Sequence, residues 1–260
     1  MGILFKEWLE SRWRFFIGLI VFSFFSLLNV VLYPWLKTLI TPEFISMMEL
    51  ILKQMPFVSP EQIQGAFNLN WNVYLYSSWV SKTLYQGMAI YLLFMAAPLL
   101  SSEESRGTLE FLIAKPISSF RIITAKYSVS LIETIIVALF STLILYPASL
   151  YMNEVFDFSL FLSGLIQSIA GIAFLFSVAF CISSLCKDQV KAIAFSALAY
   201  ITLSLPSYLP EYRHLSIFRF MQGINILKGE GIIFKEMFIL LAISAVLFAL
   251  SYYIFSKKEV

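Results

Sequence analysis

Polar residues that could contact a partner are concentrated in one short segment, residues 103–116. Its sequence is Glu103-Glu104-Ser105-Arg106-Gly107-Thr108-Leu109-Glu110-Phe111-Leu112-Ile113-Ala114-Lys115-Pro116. Ionised side chains of both signs can form charge-assisted hydrogen bonds with another protein. The spacing of Ser101 and Glu104 predicts a capping box at a helix start, and Pro116 predicts the helix end. The segment therefore predicts a short amphipathic helix suited to a groove on a partner; a helix that lies only on lipid is the alternative.

Residue types that serve in catalysis and metal binding are few. Cys181 and Cys186 are five residues apart, so on a helix they face different directions, which disfavours a disulfide. His214 has no neighbouring carboxylate or cysteine pattern for zinc binding or nucleophilic catalysis. The chain also lacks Gly-x-x-x-x-Gly-Lys-Ser/Thr, the phosphate-binding loop of many ATPases. We therefore expect no enzyme activity and no cofactor in this chain, and any process in which it takes part that needs ATP must obtain that energy from elsewhere.

The polar segment lies in a chain dominated by apolar residues, which make up 60% of it, against 13% charged residues. A bilayer core about 30 Å thick is crossed by roughly 20 apolar helical residues. Six stretches of about that length or more carry no charge: 15–36, 83–102, 134–153, 158–186, 192–210 and 237–256. Spanning segments must satisfy their own backbone hydrogen bonds, which favours helices. The sequence predicts an all-α membrane protein, and a net charge of +2 gives no indication of a nucleic-acid partner.

We predict one membrane domain over residues 1–260, divided by the charged and polar segments. An amphipathic helix over 1–14 lies on the membrane surface, an extended tail being the alternative. The six spans cover 15–36, 83–102, 127–149, 158–184, 191–206 and 235–256. The polar segment 103–126 joins the second and third spans on one side, and 37–82 and 207–234 lie on the other. Of the 18 Lys and Arg residues, 11 fall on the side of the termini and 7 on the opposite side. The excess predicts a multi-pass protein of the cell membrane with both termini in the cytoplasm.

Two features inside the predicted spans are open to two interpretations each. Glu133 lies in the third span, where a charge at the bilayer centre costs about 2.5–3.5 kcal/mol on insertion scales. It is either a structural group near the inner interface, paired or hydrated, or a group with a role in transport or coupling. Gly164, Ser168 and Gly171 form a small-residue face on the fourth span. That face favours close helix packing over a substrate path.

Residues 103–112, followed by Ala114-Lys115-Pro116-Ile117-Ser118 and then Lys126, resemble the signature cytoplasmic loop of ABC type-2 transporter permeases. The resemblance extends over nearly the whole chain. It includes Met55-Pro56 with Ser59-Pro60-Glu61, residues 204–209, and residues 215–219 through Gly229. The chain is similar in style to the short, six-span permeases of bacterial sodium-export and copper-maturation systems.

The resemblance implies a division of labour between subunits. Residues 103–119 would be a coupling helix that docks on a separate ATP-binding cassette subunit, present in two copies and carrying the ATP and Mg. The coupling residues would be Glu103, Glu104, Arg106, Thr108, Leu109, Glu110, Leu112 and Pro116. The fold would be similar to a type V exporter, with outer half-helices that re-enter the membrane within 207–234. A second permease, identical or paralogous, would complete the membrane core.

The resemblance thus implies an ATP-driven exporter of an unidentified substrate. One alternative is a secondary transporter or channel without an ATPase partner. Such a protein should show intramembrane ion ligands or two similar halves; the sequence has one intramembrane acid, Glu133, and no convincing internal repeat. A second alternative is a membrane anchor for an enzyme, which would transport nothing.

Overall fold

The computed structural model describes residues 2–39, 70–108 and 118–257, and these ranges contain helices and no strand. The helices of the first half are α1 (Ile3–Leu39), α2 (Trp71–Ser78), a π-helix (Trp79–Leu84), α3 (Tyr85–Met95), α4 (Pro98–Ser105), α5 (Ser119–Leu143) and α6 (Leu145–Tyr151). Those of the second half are α7 (Phe158–Leu185), α8 (Gln189–Ser204), two 3-10 helices (Leu205–Tyr208 and Pro210–Leu215), α9 (Ile217–Gln222), α10 (Ile224–Leu227) and α11 (Phe234–Ser256).

Six of the described segments are long and apolar enough to cross a membrane. They are Ile3–Thr38, Trp71–Ser105, Ser119–Tyr151, Phe158–Leu185, Gln189–Tyr208 and Phe234–Ser256. Only 17% of the most apolar window in the fifth segment and 22% of that in the sixth is buried within the chain. Their exposed apolar faces suit a lipid environment. The prediction of an all-α, six-span membrane protein is confirmed at this level.

The first helix differs from the predicted division into a surface helix, 1–14, and a span, 15–36. The structure has one continuous helix, α1, from Ile3 to Leu39. No glycine or proline interrupts residues 3–17, so nothing in the sequence favours a bend there. Glu7 and Ser11 are buried while Leu4 and Trp13 are exposed, so one face of this segment packs on the protein. The point at which the chain enters the membrane stays a prediction.

The second segment begins earlier than predicted, because residues 71–82, assigned to an outer segment, are helical and continue into the span. The Asn70 side chain caps α2 by accepting from the backbone N–H groups of Asn72 and Val73. Trp71 and Trp79 are almost fully buried. Their indole N–H groups donate to Ser149 Oγ at 3.1 Å and to Thr142 Oγ1 at 3.0 Å. Internal partners for these polar aromatics explain why the segment packs inside rather than at an interface.

α7 is the central helix, with 78% of its most apolar window buried. It packs on α5, α8, α9 and α11. A Cβ at Gly171 would lie 2.2 Å from Met221 Cγ, and one at Gly164 would lie 2.5 Å from Tyr76 Oη. The small residues of α7 therefore let neighbouring side chains approach its backbone.

The segment between α8 and α11 contains α9 and α10, separated by Gly223 in the left-handed region at φ +61°. Four consecutive carbonyl groups at this break accept hydrogen bonds from side chains. Phe220 O accepts from Gln167 (2.6 Å), Met221 O from Ser168 (2.9 Å), Gln222 O from Ser81 (2.6 Å) and Gly223 O from Tyr76 (3.0 Å). The short helices are thus anchored on α7 and on the second segment. Their predicted re-entry into the membrane stays a prediction.

Candidate functional site

The predicted coupling residues fall partly within the described structure. Glu103, Glu104, Arg106 and Thr108 lie at the end of α4. Leu109, Glu110, Leu112 and Pro116 lie outside the described residues. The site is therefore described from the four residues at the end of α4 and from the residues that contact them.

The end of α4 is fixed by a glycine-dependent cap. Gly107 has φ +68°, and its N–H donates to Glu104 O at 3.1 Å. The Thr108 N–H donates to Glu103 O at 3.0 Å. This pair of bonds is the Schellman pattern, which needs a residue without Cβ strain at the position of Gly107. The chain consequently leaves α4 in a defined direction inside the predicted coupling helix, 103–119, whose first three residues instead form the end of α4.

The predicted capping box at Ser101 and Glu104 is wrong. α4 starts at Pro98, so Ser101 lies within the helix, where its hydroxyl donates to Ala97 O at 3.1 Å. A proline at the first helical position is preorganised for a helix start, and it places that start earlier than Ser101.

Lys126 on α5 joins three parts of the chain. Its Nζ donates to Glu7 Oε2 on α1 at 2.9 Å and to Glu103 Oε1 on α4 at 2.8 Å. Thr108 Oγ1 donates to the other oxygen of Glu103, Oε2. The Lys126 side chain is 3% exposed, that of Glu7 5% and that of Glu103 14%. We call Glu7, Glu103, Thr108 and Lys126 the Lys126 cluster.

The electrostatics of the Lys126 cluster follow from its burial. A buried ammonium or carboxylate is costly unless it is paired and hydrogen-bonded. Here one cation serves two carboxylates, which leaves one formal negative charge among the three groups. Glu7 Oε1 has no hydrogen-bond partner among the described residues, and its nearest further cation is Lys6, with Nζ at 3.9 Å. The cluster is held by charge, and the more exposed Lys6 adds a longer ion pair at its edge.

Glu133 lies on α5, two helical turns beyond Lys126, and is only 3% exposed. Ser11 on α1 donates to Glu133 Oε1 at 2.6 Å. Glu133 Oε2 is buried with no hydrogen-bond partner in the described part of the chain. The nearby Arg14 donates to Phe94 O at 3.3 Å. Glu133 therefore faces the protein interior beside α1 rather than lipid.

A cleft of about 550 Å³ adjoins the Lys126 cluster. Its lining includes Ser11 and Arg14 of α1, Ser102 of α4, Lys126 and Ser130 of α5 and Ile193 of α8. Its volume is in the range of small-molecule sites, and its walls are partly polar and partly apolar. In the described ranges, no group of three or more His, Cys, Asp or Glu side chains could hold a metal ion.

Glu7 and Ser11 are functional-site candidates that the sequence did not reveal. Both belong to the predicted surface helix, and their partners are more than 100 residues away in sequence. The available signal was their i, i+4 spacing, which places an acid and a hydroxyl on one helix face, together with Lys126 in the family signature.

The comparisons with known proteins agree with the architecture. The chain matches the family described as "ABC-2 family transporter protein" over residues 1–260. No curated protein and no solved structure matches it. Six membrane-capable helices and a match over the whole length identify a membrane transport component. The chain belongs to the ABC-2 family of transporter proteins.

Proposed function

We propose that the chain is the membrane-spanning permease subunit of an ATP-binding cassette exporter. It moves an unidentified substrate across the cell membrane, using ATP hydrolysed by a separate subunit. The observation that carries this proposal is the family match over residues 1–260, which includes the signature segment, in a chain without a phosphate-binding loop. ATP and Mg belong to the partner subunit.

The proposed coupling element is residues 103–119. Its support is the construction of the end of α4, where Glu103 accepts hydrogen bonds from both Lys126 and Thr108 and Arg106 is exposed. A rigid exit from α4 transmits force better than a flexible one, because displacement of the docked loop then moves the helix. Glu104, Leu109, Glu110, Leu112 and Pro116 complete the proposed contact surface.

The proposed assembly has two ATP-binding subunits and two permeases, either identical or paralogous. Closure of the ATP-binding subunits on ATP displaces the coupling element, and the spans alternate between inward and outward access. Little of α8 and α11 is buried in one copy, which leaves apolar surface for lipid or the second permease.

Co-purification tests the proposal directly. A tagged chain is extracted from its native membranes in a mild detergent, and the recovered proteins are identified and assayed for ATPase activity. We expect an ATP-binding cassette subunit at one copy per permease and vanadate-sensitive ATPase activity. Recovery of the chain without an ATP-binding subunit, in detergent and in nanodiscs, would favour a secondary transporter or channel.

The proposed topology places both termini in the cytoplasm and is tested separately. Cys181 and Cys186 are replaced by alanine, and single cysteines are introduced at positions 2, 117, 259, 59 and 229. In intact cells, a membrane-impermeant thiol reagent should label positions 59 and 229 and spare the other three. Strong labelling at 117 would place the coupling segment outside the cell, where it cannot meet a cytoplasmic ATPase.

A further inference from the structure

Two sets of helix contacts surround the cleft at the end where α4 terminates. α1 packs along α5. α4 packs on α7 and α8, and the backbone N–H groups of Leu100 and Ser101 donate to Ser183 Oγ of α7 at 3.0 and 3.1 Å. The cleft is lined by residues of α1 and α5 and by residues of α4 and α8, while α7 packs on both α4 and α5.

Among the described residues, the Lys126–Glu103 ion pair joins α5 to α4 beside the cleft. Lys126 belongs to α5, Glu103 belongs to α4, and their charged atoms are 2.8 Å apart. The neighbouring residue Tyr127 packs on Phe176 and Phe180 of α7, with ring centroids 5.1 and 5.2 Å apart, and its hydroxyl lies 2.6 Å from Ser177 Oγ. α5 is therefore tied to α7 by an aromatic contact on one side and to α4 by the ion pair on another.

The ion pair is arranged so that it can break without leaving either charge alone. If Glu103 moves away, Lys126 keeps Glu7 Oε2 at 2.9 Å. Glu103 keeps the hydroxyl of Thr108, which is five residues further along the same segment. Glu103 is also the most exposed of the three ionised groups, so water reaches it first. A buried pair normally costs most when one partner is left unpaired, and the second partners avoid that cost.

We propose that the Lys126–Glu103 pair is a latch that limits the width of the cleft, and that Lys126 is a positioning residue retained by Glu7 on the α1–α5 side when the latch breaks. Displacement of α4 by the chain that follows Thr108 widens the cleft. The latch rests on the proposed function only for its driving force, which is nucleotide-dependent movement of residues 103–119.

Two isosteric variants, one at each carboxylate that shares Lys126, test the latch. The probe is a cysteine replacing Ser130, which lines the cleft and is 2% exposed, in a background with Cys181→Ala and Cys186→Ala. The full chain is expressed with its native partners, and a water-soluble maleimide is added to membranes opened by freeze–thaw, so both faces are reached. Glu103→Gln removes the Lys126–Glu103 ion pair and leaves the Lys126–Glu7 ion pair. Glu7→Gln does the reverse.

Glu103→Gln should raise the labelling rate at position 130 about tenfold or more, since loss of a buried charge partner shifts an equilibrium by at least that factor. Glu7→Gln should leave the rate within about twofold of the parent, because the Glu103–Lys126 pair remains. Equal increases in both variants would indicate a structural role alone and overturn the latch, as would an unchanged rate in Glu103→Gln. Should Glu103→Gln assemble poorly, the shorter Glu103→Asp provides the same test with an intermediate rate.

Adding ATP with vanadate separates the latch from the proposed function. In the parent protein, trapping should change the labelling rate at position 130, and Glu103→Gln should abolish that change. An unchanged rate on trapping, together with the difference between Glu103→Gln and Glu7→Gln, would support the latch and contradict its drive by ATP.

Discussion

The Lys126 cluster and the short-helix segment, residues 205–227, connect distant parts of the chain with different chemistry. In the short-helix segment, neutral side chains bond four successive carbonyls, and each donor is fixed on a buried helix. In the Lys126 cluster, one ammonium group is shared between two carboxylates on two other helices. Each of these carbonyl groups accepts from a side-chain donor held on another helix, whereas the ammonium group already has two carboxylate partners between which it can be exchanged.

The difference indicates which end of the molecule is suited to move. Shifting α9 would leave buried carbonyl groups without donors, so the short-helix segment is expected to move with α7 as one body. Shifting α4 exchanges partners within the Lys126 cluster, because Glu7 and Thr108 remain available. The cleft adjoins the ionic cluster, as expected if this is where the helices separate.

Removing the cation should have the largest effect on stability. Lys126→Met leaves Glu7 and Glu103 buried without their common partner, which should lower the free energy of unfolding by about 3–5 kcal/mol. Thermal unfolding of the purified chain, followed by size-exclusion chromatography with fluorescence detection, measures the loss.

Two further variants serve as controls for Lys126→Met. Lys187→Met, at an exposed lysine, should change stability by less than about 0.5 kcal/mol. Replacing all three charges, with Glu7→Gln and Glu103→Gln added, should recover much of the loss. Equal stability of Lys126→Met and Lys187→Met would show that the cluster is not held by charge.

A variant of the proposed coupling element should affect the complex more than the chain itself. Glu104→Ala with Leu109→Ala should weaken binding of the ATP-binding subunit by about 2–5 kcal/mol if both contact a buried groove. Pull-down and ATPase activity in nanodiscs measure the effect. The matched control is Glu230→Ala with Leu209→Ala, at exposed positions between α8 and α11. Full partner recovery and normal ATPase activity in the first variant would exclude this segment as the transmission element.

A neutral substitution should test the short-helix segment. Gln167 donates to Phe220 O at 2.6 Å and to Asn225 Oδ1 at 2.9 Å, and it accepts from the N–H of Ile233. Gln167→Leu leaves these groups unpaired, which should cost about 1–3 kcal/mol in the free energy of unfolding.

The thermal assay that measures Gln167→Leu should include Gln86→Leu at an exposed glutamine as the control. Hydrogen exchange should increase in residues 217–227 of Gln167→Leu and stay unchanged near Thr108. Increased exchange both in residues 217–227 and near Thr108 would show that the short-helix segment and the Lys126 cluster do not move independently.

The sequence predicted the helical class and the number of spans because those depend on the length and polarity of continuous stretches. The single α1 helix and the early start of the second segment were missed, since Glu7, Trp71 and Trp79 look interfacial until their distant partners are known. The sequence indicated only part of the Lys126 cluster. Lys126 and Glu103 stand in the signature segment, but Glu7 reaches them through packing of α1 on α5, which local spacing does not encode.

The smallest effect on stability is expected at Glu133, which lies between the two ends in the packing of α1 against α5. Glu133→Gln retains an oxygen that can accept from the Ser11 hydroxyl, which lies 2.6 Å from Glu133 Oε1 in the parent protein. It removes a charge whose second oxygen has no hydrogen-bond partner among the described residues, and Arg14 keeps its bond to Phe94 O. The free energy of unfolding should therefore change by less than about 1 kcal/mol, in either direction, and ATPase activity of the complex should be nearly unchanged. Glu230→Gln, at an exposed glutamate, is the control.

The transport alternative makes a different prediction for Glu133→Gln, because a proton-coupled carrier would use the Glu133 carboxylate as the group that gains and loses the proton. In proteoliposomes containing the chain alone and a pH-sensitive dye, that alternative requires an imposed pH gradient to collapse faster than in empty liposomes, and Glu133→Gln to abolish the collapse. We expect the same slow decay with the parent chain, Glu133→Gln and Glu230→Gln. A fast decay lost only in Glu133→Gln would assign proton movement to α5 and favour a carrier that needs no ATPase.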